Sequence, residues 1–96
     1  MPAYLIAQIN ITDPETFKEY QALVPATIEA FGGRYLVRGG EQVALEGELR
    51  SSRTVILEFP DMAAAKAWHA SDMYERPLAL RQASADGHLM LVDGLK

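Results

Sequence analysis

The stretch AYLIAQINITDP, residues 3–14, carries both periods from which the fold can be read. Leu5, Ala7, Ile9 and Ile11 fall on one side of an extended chain, and Tyr4, Ile6, Gln8 and Asn10 on the other, because successive strand side chains alternate. A strand over 3–11 is predicted. Thr12 and Asp13 then offer side-chain oxygens to cap a helix, and Pro14 suits a first turn, where its missing N–H has no helical partner. Beyond it Phe17, Tyr20, Val24, Ile28 and Phe31 recur at spacings of three and four, the stripe of a helix packed on one face. Pro25 interrupts that stripe and predicts a kink or break near Leu23; Gly32 and Gly33 end the helix.

Outward from there, Arg34 to Arg38 alternates again. Gly39 and Gly40 suggest a bulge or bend, and Val43 to Glu46 reads as a resumption of the same strand before a polar turn over Gly47 to Ser52. RTVILEF, residues 53–59, is a clearer strand, ended by Pro60; Asp61 caps a helix carrying Met62, Ala65 and Trp68. A second helical piece starts after Ser71, with Pro77 too deep for its first turn, so Ser71 to Ser84 reads as kinked or split. GHLMLVD, residues 87–93, closes the chain as a strand. The order strand, helix, strand, strand, helix, strand is that of an α+β, ferredoxin-like βαββαβ sandwich, an antiparallel sheet with helices on one face, in one domain over residues 1–96.

Parity sorts the strand residues into two faces. Leu5, Ala7, Ile9, Tyr35, Val37, Val55, Leu57, Phe59, Leu89 and Leu91 are nearly all apolar and suit the helix-covered side. Tyr4, Ile6, Gln8, Asn10, Arg38, Thr54, Ile56, Glu58, His88, Met90 and Val92 mix apolar with polar and charged groups. Two copies packed through this second face would bury its apolar members and trap the polar ones in a lined cavity. A homodimer is expected, with a small-molecule ligand between the paired sheets; an open monomer is the plainer alternative.

Composition bounds the rest. Of 96 residues, 49% are hydrophobic and 23% charged, ordinary for a packed globular chain. The absence of cysteine removes disulfides, thiolate metal sites and thiol nucleophiles, and fits a cytoplasmic location. The opening residues lack the pattern of a signal peptide, and no apolar run reaches the length of a membrane span. A net charge of −4 gives no footprint for nucleic acid.

Arg38-Gly39-Gly40, Glu46-Gly47, Arg53, Glu58-Phe59-Pro60, Trp68, Ser71, Tyr74 and Arg81 together resemble the family catalogued as domain of unknown function 1330, over Tyr4 to Gly94. The resemblance implies a dimeric α/β-barrel fold, in a superfamily that includes cofactor-free monooxygenases of antibiotic synthesis and muconolactone isomerase-like enzymes. It implies no particular reaction and assigns no catalytic residue. His69 and Pro77 depart from the pattern, His69 standing where an aromatic such as tyrosine is expected.

The residues themselves offer weak catalytic candidates in Arg38, Glu58 and His88. Arg38 and Glu58, on adjacent strands of the mixed face, could pair with each other or position a carboxylate or enolate. The plainer reading is a structural ion pair. His69 and His88 are the only histidines, and either could shuttle a proton near neutral pH, His88 being better placed. Trp68, His69, Ser71 and Tyr74 could rim a pocket; equally, Trp68 continues a core spacing and Ser71 is a helix cap. The expected ligand-binding set is Tyr4, Gln8, Arg38, Glu58, Trp68, His69, Tyr74 and His88. Neither metal-ligand spacing nor a glycine cradle for phosphate is present, so no metal and no cofactor is expected. Two functions fit: a homodimeric binder or cofactor-free enzyme for a small, partly apolar or anionic molecule, and a non-catalytic dimeric sensor or assembly module whose inter-sheet space is filled.

Overall fold

Four strands and three helices follow one another among the described residues, 1–95 of the computed structural model, as β1 (Ala3–Ile11), α1 (Pro14–Ala30), β2 (Arg34–Arg38), β3 (Arg53–Phe59), α2 (Met62–Ala70), α3 (Asp72–Ser84) and β4 (Ala85–Asp93). The sheet order is β2-β3-β1-β4, every pair antiparallel. This is the ferredoxin-like α+β arrangement, a slab 32 × 32 × 16 Å with a helix layer on one side of the sheet. No helix is long and apolar enough to cross a membrane.

Each helix starts where a short polar side chain meets its first turn. Asp13 accepts from the Thr16 amide at 3.3 Å and from the Thr16 hydroxyl at 2.7 Å. Asp61 accepts from the Ala64 amide at 2.8 Å, and Ser71 from the Tyr74 amide at 3.3 Å, which gives Ser71 the capping role. These bonds satisfy amides that have no partner inside the helix. The chain enters each helix already committed in direction, and the apolar stripes therefore fall on the sheet.

Ala3, Leu5, Ala7 and Ile9 of β1, with Leu57 and Phe59 of β3, are buried under Phe17, Val24 and Ile28 of α1 and Ala65 and Trp68 of α2. Trp68, 1% exposed, lies 5.4 Å from the Phe59 ring and 4.2 Å from the Tyr74 ring, centre to centre. Its indole N–H donates to the Thr27 hydroxyl at 3.0 Å, which in turn donates to the Val24 carbonyl at 2.7 Å. The largest core side chain thus leaves no buried polar atom unpaired.

Several local expectations are corrected. α1 runs without a break through Pro25 and α3 through the buried Pro77, one backbone bond being lost at each; the only interruption of the second helical region is at Ser71. Val43 to Glu46 form no strand. Residues 39–52 are an irregular loop tied back to β1, the Asn10 amide donating to the Arg50 carbonyl at 3.3 Å and the Ser52 amide donating to Asn10 Oδ1 at 2.8 Å. The bulge lies earlier than Gly39: Tyr35 pairs Leu57 while Val37 pairs Ile56, so Leu36 is the extra residue. One inserted residue reverses parity. Val37 therefore joins the open face, and Arg38, opposite Val55, joins the helix-covered one.

Candidate functional site

The reversal at the bulge decides which groups meet. Arg38 is carried beneath the helix side, its guanidinium 4.4 Å from the centre of the Tyr35 ring. Arg53 opens β3 with the same parity as Val55, Leu57 and Phe59, and its guanidinium lies 5.6 Å from the centre of the Phe17 ring. Arg81, in the last turn of α3, is buried. The three arginines line one cavity between α1, α3 and the sheet, with Tyr20, Tyr35, Val24, Ile28, Leu57 and Trp68 among its walls. It leaves about 40 Å³ to the centres of water-sized molecules, room for roughly three waters.

No aspartate or glutamate lines this cavity. The ion pairs among the described residues are Lys18–Glu15 and Arg34–Glu58, so Arg38, Arg53 and Arg81 have no carboxylate partner there. Three guanidiniums around an apolar floor make a positive niche, screened least at the buried Arg81. The Tyr20 hydroxyl meets the Tyr74 hydroxyl at 3.1 Å. Burial pushes the Tyr20 hydroxyl far above the ordinary phenol range, Tyr74 adds to the shift and Arg81 opposes it. Burial also raises Tyr35, against the pull of Arg38 and Arg53. Both phenols stay protonated at neutral pH and serve as neutral hydrogen-bond groups.

Gly39 is built into the same corner. Its φ of 71° lies in the left-handed region, its amide donates to the Thr54 carbonyl at 3.0 Å, and a Cβ there would overlap the Arg53 guanidinium. The Arg38-Gly39-Gly40 sequence thus turns one arginine inward and lets the backbone close over another.

The residues expected to form the site divide. Tyr4, Gln8, Glu58 and His88 lie together on the open face, with Tyr4 opposite Glu58 and Gln8 opposite His88. Arg38 is not with them. The anticipated Arg38–Glu58 contact is replaced by Arg34, whose Nε and Nη2 both reach Glu58 Oε1 at 2.8 Å, because the register sets Arg34 directly across from Glu58. Trp68 and Tyr74 are core residues rather than rim, 1% and 0% exposed. His69 is exposed on α2 beside Trp68 and lines a surface depression with Met90 and Leu91 instead of the arginine cavity.

Arg53, Arg81, Tyr20 and Tyr35 were not among the expected site residues. Arg53 carried a signal, since its parity places a charge among the apolar covered set; Arg81 and Tyr20 come together only through the packing of α1 on α3.

Comparison with known proteins supports the fold. A protein of unknown function from Rhodopseudomonas palustris superimposes with TM-score 0.82 at 20% identity, over 99% of this chain and 83% of that one. A dimeric ferredoxin-like protein of unknown function from Jannaschia sp. CCS1 matches with TM-score 0.70 at 18% identity over the whole of both chains. SnoaB, a cofactor-independent oxygenase from Streptomyces nogalater, matches with TM-score 0.65 at 12% identity, over 99% of this chain and 94% of its own. No curated protein matches the sequence. The model of the family described as domain of unknown function (DUF1330) matches residues 2–95, and the chain belongs to that family.

Proposed function

We propose that this protein is a homodimer in which each protomer binds a small, partly apolar anionic molecule in the cavity between its helices and its sheet. The observation that carries this reading is the collar of three arginines, without an acidic partner, over an apolar floor. The bulge in β2 moves the proposed site from the space between paired sheets to the helix side. A cavity of this size takes a ligand of a few heavy atoms as it stands, and a ring-sized one if the exposed Arg38 side chain swings outward.

The open face supports the pairing. Met90 is 51% exposed, Val92 42% and Val37 36%, beside the half-buried Ile6 and Ile56. An apolar patch of this kind on a short chain favours cover by a second copy. The neighbour from Jannaschia, itself dimeric, uses the same fold. A cysteine-free composition suits work in the cytoplasm.

Trp68 is the single tryptophan and lines the cavity, so its emission reports on occupancy. Titration with benzene-ring compounds, neutral and anionic, should change that emission saturably in the native chain and not in Val55→Phe, which fills the cavity from β3. A panel that leaves both emission and melting temperature unmoved would remove the reading and favour the second one, a dimeric assembly module with a closed interior, for which the small cavity volume speaks. Oxygen uptake by the loaded protein, without added flavin or metal, would separate cofactor-free oxygenation, the activity in SnoaB's description, from simple binding.

A further inference from the structure

We infer that Arg53 and Arg81 form a receptor for the carboxylate of the bound molecule, so that the ligand class is a small apolar monocarboxylic acid. The inference rests on the cavity reading above and narrows it. It starts from two atoms: the Nε of Arg53 and the Nε of Arg81 are both buried and have no hydrogen-bond partner. Arg81 is only 9% exposed, and its side chain enters the same cavity as Arg53. Such orphaned donors are uncommon in a folded chain, and a buried guanidinium is ordinarily paired.

Neither arginine has a structural role that accounts for its placement. No acidic side chain lies within ion-pair distance of either. Arg81 stands at the carbonyl end of α3, where the helix favours a positive charge, yet that field does not satisfy the Nε–H. Arg53 is held between the Phe17 ring and the backbone at Gly39, which leaves the side chain few other positions. Water in the cavity would satisfy the two N–H groups without balancing their charge. An anion does both.

Its shape follows from the donors and the room. The Nε and Nη hydrogens on one edge of a guanidinium match the two oxygens of a planar carboxylate. The cavity, about 40 Å³, takes a head of few atoms. Beyond the arginines the walls are mostly apolar, Val24, Ile28, Val55 and Leu57 among them, with Tyr20, Gln21 and Tyr35 as the polar exceptions, so a largely apolar body suits the acid.

Benzoate, methyl benzoate and phenylphosphonate share a ring and differ at the head, and Trp68 emission can read all three. Benzoate should bind about tenfold or more tighter than its methyl ester. Arg81→Met, which keeps length and loses the charge, should abolish that preference, the affinity for benzoate falling to about that for the ester. Arg53→Met, at a half-buried position, serves as the second variant should Arg81→Met unfold. Equal affinity for acid and ester, retention of the preference in both variants, or tighter binding of phenylphosphonate would each overturn the carboxylate assignment while the cavity stands. Failure of acid and ester alike would remove the cavity reading with it.

Discussion

The helix-covered and open faces of the sheet share the same four strands, and they treat their charges in opposite ways. On the open face Glu58 meets Arg34 with both nitrogens 2.8 Å from one oxygen, a neutralised pair near water. On the covered face the buried Arg81 and the half-buried Arg53, with its Nε buried, have no counter-charge, although an unpaired buried charge is the costlier arrangement. Stability alone would favour the reverse. A fold that pairs an exposed arginine and leaves the buried Arg81 unpaired is keeping the buried one for something that arrives from outside.

The two faces also differ in what holds them, and the largest effect expected from substitution tests this. Phe59 is 0% exposed beneath Trp68, so Phe59→Ala should cost about 3–5 kcal/mol through lost contacts and the cavity left behind. Met90, on the open face and 51% exposed, should cost about 0.5 kcal/mol or less as Met90→Ala in a dilute protomer. Denaturant melts of the two variants give the contrast. If Met90→Ala loses more as protein concentration rises, the open face is covered by a second copy; equal losses in the two variants at high dilution would break the distinction between the faces.

Tyr20→Phe probes the border of the covered face. The variant strands the Tyr74 hydroxyl, which is 0% exposed, and should cost about 1–3 kcal/mol. The pH dependence has a defined sign. Tyr20 holds its proton far more firmly in the folded chain than in the unfolded one, so its contribution is fully present below about pH 10, the unfolded value, and is lost as pH rises beyond it. Melting curves between neutral pH and pH 11 should therefore fall more steeply for the native chain than for Tyr20→Phe. Parallel curves would show that Tyr20 is not desolvated and that the cavity wall is wetter than the geometry indicates.

The order of elements along the chain, the helix caps and most of the covered set were legible because each rests on a period or on a side chain acting within three residues of itself. β1, β3 and β4 keep one parity throughout, and their faces follow from counting. β2 does not. Whether the extra residue sits at Leu36 or at Gly39 is decided by pairing with a strand nearly twenty residues away, and that single choice exchanges Val37 with Arg38. The family-like residues Arg38, Gly39, Arg53 and Arg81 were visible as a set, but their meeting depends on that bulge and on α3 lying against α1. Of the two outcomes expected at Pro25 and at Pro77, a kink or a break, the break does not occur, because tertiary packing outweighs one lost bond.

The smallest effect concerns the open-face pair. Arg34 is 69% exposed along its side chain and Glu58 24%, so in a lone protomer Arg34→Gln should cost about 0.2–1 kcal/mol, less as salt is added. Cover by a second copy changes the terms, because a carboxylate stripped of water needs its partner more. Sedimentation across a dilution series should then show Arg34→Gln weakening association more than it weakens the protomer, with little screening by salt. A variant that pairs as tightly as the native chain would place Glu58 at the wet rim of any dimer, and would confine the costly, unpaired charges of this molecule to the arginine cavity alone.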